Sequence, residues 1–137
     1  MPVKLATTVK KIENIPNAIN SSLLSDFYNY LNSNGVSESH ISNNLKALTA
    51  FAHFLGPSVS FIRISSKEPI INFLDGKLKS SKEDPDGKSI ITWNDYLGRI
   101  KYFLRWIHNC RGKSPPLDLS DWQTPDFLKI KTKKTFY

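Results

Sequence analysis

The sequence contains few of the residues that build disulfide scaffolds, metal cages or membrane anchors. Its 137 residues include one cysteine, Cys110, which excludes an internal disulfide framework and a cysteine-based zinc cage. Every apolar run is shorter than the roughly 20 residues that a membrane-spanning helix needs. The N-terminal stretch also lacks the apolar core of a secretory signal. These absences predict a soluble, intracellular protein.

Catalytic motifs are scarce as well. None of the six glycines forms a G-x-G or P-loop pattern, so a nucleotide-cradling loop is not indicated. The three histidines lack metal-ligand spacing, and His108 and Cys110 are two positions apart, which places them on different faces of a helix. The stretch from Asp84 to Asp86 is more typical of an acidic turn than of paired catalytic carboxylates. We therefore predict no catalytic residue, no metal site and no cofactor in this chain.

Positive charge is what the sequence has in excess, with 19 lysines and arginines against 12 acidic residues and a net charge of +7. The excess is local, because residues 1–40 balance to zero. Residues 99–113 contain five basic side chains and residues 127–137 contain four, and neither stretch contains an acid. Such blocks are often only solvated surface, but they also suit a polyanionic partner.

The spacing of apolar residues predicts an all-α fold with four helices. Their expected ranges are about 19–33, 38–55, 66–78 and 92–110. The expected N-terminal caps are Asn17 or Asn20, then Ser65 with Glu68 and Thr92 with Asp95, and the expected stops are Gly35 and Gly56. We predict a flexible arm over 1–16, a helical domain over 17–111 and a linker strapped to that domain over 112–137.

Two of the predicted helices direct polar side chains away from the apolar stripe. The second helix presents Asn43 and Lys46, with His40 and Asn44 near the edge of the stripe. The fourth helix presents a set with basic and aromatic members, namely Arg99, Tyr102, Arg105, Trp106 and Asn109. Asparagine can pair with adenine, and guanidinium groups can pair with phosphate or guanine. The alternative is that the aromatic residues pack under the C-terminal segment and that the asparagines are merely solvated.

Two stretches of the chain resemble a known family. Residues 35–55 (GVSESHISNNLKALTAFAHFL) resemble the second helix of the N-terminal core-binding, SAM-like domain of tyrosine recombinases, which often reads G-x-S-x-x-T-I followed by spaced Leu and Phe. This sequence has His40 where the family commonly has Thr, and Asn44 where an aromatic is common. Residues 91–109 (ITWNDYLGRIKYFLRWIHN), followed by DWQTPDFLKIK, are most similar to phage-type integrases of archaea. The resemblance covers about 17–134.

The resemblance implies a four-helix core-binding bundle with a C-terminal linker extension. Such domains form one half of a C-shaped clamp around duplex DNA, while the chemistry resides in a separate catalytic domain. It implies DNA at an attachment or recombination site as the partner, together with other recombinase protomers, and neither a membrane nor a small-molecule substrate. The implied location is the cytoplasm, in association with the nucleoid.

The resemblance also implies which residues contact DNA. They are His40, Asn43, Asn44 and Lys46, then Arg99, Lys101, Tyr102 and Arg105, and in the linker Lys129, Lys131, Lys133 and Lys134. His108 and Arg111 form an H-x-x-R pair, and Tyr137 follows, in the order of the family's catalytic boxes. The second histidine and the rest of the catalytic fold are missing from this chain, so we predict that none of the three is catalytic.

The sequence also allows two other functions. A helical protein-interaction or oligomerisation domain would use Tyr102 and Trp106 as an interface, with the charge incidental. A small hydrolase or nuclease has little support, because the sequence offers neither a carboxylate cluster nor a nucleophile with its base.

Overall fold

The computed structural model describes residues 3–80 and 82–134, which contain helices and no strand, and it confirms the all-α class. The described α-helices are α1 (Val3–Lys11), α2 (Ala18–Ser33), α3 (Glu38–Leu55), α4 (Glu68–Asp75) and α5 (Lys88–Cys110). Short 3-10 turns lie at Ile12–Asn14, Phe61–Arg63, Leu119–Asp121 and Asp126–Leu128. The chain divides into two compact units, Met1–Ile64 and Ser65–Tyr137, a boundary that the sequence reading did not place.

Helix α3 is the centre of the first unit, because both α1 and α2 pack against it. Its apolar stripe is fully buried and includes Ile41, Leu45 and Phe51. The Oγ of Ser37 accepts a hydrogen bond from the His40 amide at 3.3 Å, and Gly56 ends the helix with a φ of 77°. The predicted range of 38–55 is therefore confirmed.

The N-terminal stretch differs from the flexible arm predicted over 1–16. It contains α1 and the turn Ile12–Asn14, which place Leu5 and Ile12 in the core. The Oγ1 of Thr8 lies 3.4 Å from the Oγ of Ser42 in α3, which is within hydrogen-bonding distance. A nine-residue helix is marginal on its own and gains its stability from packing. The sequence pattern of α1 was too short to reveal the partner surface on α3.

Two asparagine side chains hold the segment after α3 against the start of α2. Asn17 caps α2 by accepting from the Asn20 amide at 3.0 Å, and it donates to the Pro57 carbonyl at 2.9 Å. Asn20 is fully buried, accepts from the Phe61 amide at 2.8 Å and donates to the Val59 carbonyl at 2.9 Å. Asn17 is thus the cap, and Asn20 is a buried tie between two segments.

We expect Asn20→Ala to lower the free energy of unfolding by about 2 kcal/mol, because the buried Phe61 amide loses its acceptor. Urea denaturation measures the change as a lower midpoint at an unchanged slope. Asn29→Ala on the exposed side of α2 is the matched control and should shift the value by less than about 0.5 kcal/mol. Equal shifts in the two variants would contradict the role given to Asn20.

In the second unit α4 packs on α5. The Nε1 of Trp93 in α5 donates to the Oδ1 of Asp75 at 3.1 Å, and the ring of Tyr96 stacks on that of Phe73 at 6.3 Å. Helix α4 is shorter than the predicted 66–78, and the capping box expected at its start is absent, since the cap residue Lys67 makes no side-chain bond. Pro69 lies in the first turn, where its missing N–H costs nothing and its fixed φ suits a helix.

Helix α5 begins at Lys88, four positions before the predicted Thr92. The carboxylate of Asp84 accepts from the Lys88 amide at 3.1 Å and from the Ser89 amide at 2.7 Å, so Asp84 acts as the cap. Hydrogen bonds from the Ser89 side chain, then from the Ser89 and Lys88 amides, hold the pKa of Asp84 below its ordinary value of 3.8. Asp95, the predicted capping partner, instead pairs with Arg99.

We expect acid to loosen the start of α5 through Asp84. Since its pKa is lower in the folded state than in the unfolded chain, the carboxylate stabilises the fold above about pH 4, and this stabilisation is lost as pH falls through the folded value. Asp84→Asn should therefore reduce the pH dependence of the free energy of unfolding and speed amide exchange at Ser89. Asp86→Asn, two positions away, should change neither quantity; identical behaviour of the two variants would refute the cap.

Candidate nucleic-acid interface

The outer side of α3 carries most of the predicted contacts of that helix. His40 and Lys46 are exposed and Asn43 is half-buried, so all three side chains reach the surface of the first unit. Asn44 differs, because its side chain is buried and its Nδ2 donates to the His40 carbonyl at 2.8 Å. The amide of Asn44 is therefore used inside the helix.

Helix α5 is covered along one side by the C-terminal strap, residues 117–134. Three apolar side chains of the strap are buried: Trp122, Leu128 and Ile130. Two further apolar residues of the strap, Pro125 and Phe127, are half-buried. The position of the strap determines what each predicted contact of α5 can reach.

Arg99 and Lys101 are both engaged inside the second unit. The Nε of Arg99 lies 3.0 Å from the Oδ2 of Asp95, one helical turn earlier. The ammonium of Lys101 donates to the carbonyl of Ile130 in the strap, and burial lowers the pKa of this lysine. The Lys101 ammonium, which the family resemblance assigns to DNA, thus binds the strap to α5.

Tyr102 and Arg105 both contact Trp122. The rings of Tyr102 and Trp122 stack with centroids 5.6 Å apart, and the guanidinium of Arg105 lies 5.6 Å from the centroid of the same indole. The indole N–H donates to the Leu117 carbonyl at 3.0 Å, which fixes the ring in place. Tyr102 and Arg105, which were expected to face solvent, therefore pack against the strap.

Trp106 and Asn109 were expected to face outward, and this expectation is wrong. Both side chains are buried, at 6% and 5% exposure. Asn109 pairs with the backbone of Gln123, donating to its carbonyl and accepting from its amide, each at 2.8 Å. The spacing of apolar residues in α5 predicts one buried stripe, whereas the strap covers a second side of the helix.

The four strap lysines fall into two groups. Lys129 pairs with Asp126 at 3.0 Å, and the ammonium of Lys133 lies 4.8 Å from the centroid of the Trp93 ring. The backbone of Lys133 is also held by two hydrogen bonds with the Asn94 side chain, at 2.8 and 2.9 Å. All four lysines are exposed, but Lys131 and Lys134 have no ion pair or ring contact among the described residues. These two are the strap side chains best placed to meet a polyanion.

The engaged cations of α5 keep most of their charge. Lys101 contacts a carbonyl and Arg105 contacts an indole ring, and neither partner carries a net charge. The carboxylates that pair with Arg99 and Lys129 are 48% and 95% exposed, so salt in the solvent screens both ion pairs. The strap therefore occupies hydrogen-bond donors without removing the positive potential of the second unit.

We expect Asn109→Ala to release the strap locally. The Gln123 amide loses its acceptor, so its hydrogen exchange should accelerate, and the free energy of unfolding should fall by about 1–2 kcal/mol. Exchange measured by NMR, residue by residue, tests this. His108→Ala changes the exposed neighbour on α5 and should leave the Gln123 amide protected. Unchanged exchange at Gln123 in Asn109→Ala would contradict this account of the strap.

His108 and Arg111 are exposed at the end of α5, and Tyr137 lies outside the described residues. In residues 3–80 and 82–134 no group of three or more His, Cys, Asp or Glu side chains could hold a metal ion. Within the same ranges, no helix has the length and apolar character to cross a membrane. Comparison with protein-family models, with curated proteins and with solved structures finds no match.

Proposed function

We propose that this chain binds duplex DNA as the core-binding half of a site-specific tyrosine recombinase or integrase, with a SAM-like bundle and a catalytic domain outside this chain. The observation that carries the proposal is the outer side of α3, where exposed His40 and Lys46 flank Asn43 while the opposite side is fully buried. A helix about 10–12 Å across fits a major groove about 12 Å wide.

The roles on α3 follow from side-chain chemistry. The amide of Asn43 can donate to N7 and accept from N6 of adenine, which gives base readout. Lys46 and His40 suit phosphate oxygens on either side of the groove, which positions the helix without reading sequence. Asn44 has no such role in this proposal, because its amide is bonded within α3.

In the second unit the proposal gives direct phosphate contact to Lys131 and Lys134, which are exposed on the strap. The cations of α5 contribute mainly through their field, which draws the duplex toward this unit. Fuller contact by Tyr102 or Arg105 requires the strap, with Trp122, to move away from α5 first.

The remaining parts of the proposal concern the whole protein. Strand cleavage and joining belong to the catalytic domain, and other protomers bind alongside on the same recombination site. The location that follows is the nucleoid.

A second candidate function is a protein-interaction domain, and exposed apolar side chains in the first unit favour it. Ile19 and Phe54 are each about half exposed, at 53% and 52%, and Val59 and Ile62 are exposed to a smaller degree. The Asn17 and Asn20 side chains hold the segment with Val59 against the start of α2, where Ile19 lies. Neighbouring exposed apolar groups of this kind can mark an interface between proteins.

We expect the chain to bind a fluorescent duplex with an affinity that falls steeply with salt, because each neutralised phosphate releases counterions. The double variant Lys131→Gln, Lys134→Gln should weaken binding on every duplex sequence and reduce the salt slope by about 2. The matched control Lys67→Gln, Lys82→Gln removes the same charge from exposed sites of the same unit and should leave the slope nearly unchanged.

Two results would overturn the proposal. An equal loss in both double variants would show that only net charge matters. The absence of DNA binding at low salt, together with concentration-dependent oligomers in light scattering, would favour the protein-interaction function instead.

A further inference from the structure

The first unit contains a cavity of about 460 Å³ between α1 and α3 that neither the fold nor the proposed DNA contacts require. Its polar lining comes from both helices and from the turn after α1. The residues are Thr8, Lys11 and Asn14 from the N-terminal side and Lys46, Thr49 and His53 from α3. All of them lie within one compact unit, so the site is complete in residues 3–64.

The lining side chains share one chemical property. Each of the six can donate a hydrogen bond, from an ammonium, an imidazole, an amide or a hydroxyl, and two are permanently cationic near neutral pH. Among the described residues that line the cavity there is no carboxylate. The Oγ1 of Thr49, which lines the cavity, is buried and has no hydrogen-bond partner among the described residues. Such a set suits a ligand group that offers only acceptors and carries negative charge.

We propose that this cavity binds the phosphate group of a small phosphorylated molecule. A phosphomonoester carries about −1.5 to −2 charges at pH 7 and presents three acceptor oxygens. The volume falls within the roughly 300–1,000 Å³ of small-molecule sites, so an organic part fits beside the phosphate. Ala50 and the aliphatic parts of the two lysines supply apolar wall for that part.

The site does not depend on the proposed function. Thr8, Lys11 and Asn14 lie outside the residues assigned to DNA, and only Lys46 belongs to both sets. A phosphate of the DNA backbone shares the chemistry of the ligand but carries a single charge on a wide, rigid duplex. The two sources of phosphate can therefore be separated by experiment.

The test is an NMR titration of the isotope-labelled full chain with adenosine 5′-monophosphate, adenosine, inorganic phosphate and a short blunt duplex. We expect saturable shifts with the monophosphate at amides of residues 8–14 and 46–53, and much weaker ones with adenosine. Lys11→Gln should weaken the monophosphate about tenfold, as for the loss of one bond to a charged group. Lys10→Gln removes the adjacent exposed lysine, which does not line the cavity, and should leave the affinity unchanged.

The outcomes separate the two proposals. No saturation by the monophosphate or by phosphate up to about 10 mM overturns the site. Equal losses in Lys11→Gln and Lys10→Gln also overturn it, because they indicate general surface attraction. Shifts at residues 8–14 with the duplex alone assign the cavity to the DNA backbone and overturn the small-molecule ligand. Monophosphate binding without any duplex binding supports the site while the DNA proposal fails. Retained dispersion of the spectra shows that each variant is folded.

Discussion

The arrangement of the basic side chains in the second unit depends on how Trp122 is held. Its ring stacks on Tyr102, faces the guanidinium of Arg105 and is fixed by a hydrogen bond to the Leu117 carbonyl. A buried tryptophan is one of the largest apolar contributions that a single residue makes. It gives an irregular segment a fixed place on α5. The strap lysines beyond it therefore have defined positions, although only two short 3-10 turns lie in that segment.

The sequence predicted the bounds of a helix best where a long series of regularly spaced apolar residues begins at a strong N-terminal cap. Helices α2 and α3 have both, with Asn17 and Ser37 at their starts. Helix α1 was missed because its few apolar residues gain meaning only from the surface of α3 on which they pack. The start of α5 was missed because its cap, Asp84, lies in a polar loop and reaches the helix across Gly87, a pattern that also describes an ordinary turn.

The sequence indicates which residues could form the candidate interface, but not which of them another segment covers. Helical periodicity predicts that Asn43 and Lys46 face away from the apolar stripe with His40 near its edge, and in the structure His40 and Lys46 are exposed and Asn43 is half-buried. Periodicity carries no information on which distant segment covers a face. Asn109 and Gln123 are fourteen positions apart, and the Asn109 side chain pairs with the backbone of Gln123, a partner that leaves no trace in the side-chain pattern. The one available signal was Trp122 itself, a large apolar residue in a segment otherwise rich in polar residues.

The strap separates two effects that a basic face usually combines. Attraction between charges acts over about 8–10 Å at physiological salt and depends on the number of charges, which the strap leaves almost intact. Base readout needs unoccupied hydrogen-bond donors and acceptors that can meet the edge of a base. The Lys101 ammonium instead donates to the strap, and the Tyr102 ring stacks on Trp122 of the strap. If this chain grips a duplex, α5 therefore supplies attraction and α3 supplies the reading, since Asn43 keeps its amide at the surface. A mutation that loosens Trp122 would then add contacts to the duplex without increasing sequence preference. The side chains that it uncovers, Tyr102 and Arg105, suit phosphate better than they suit a base.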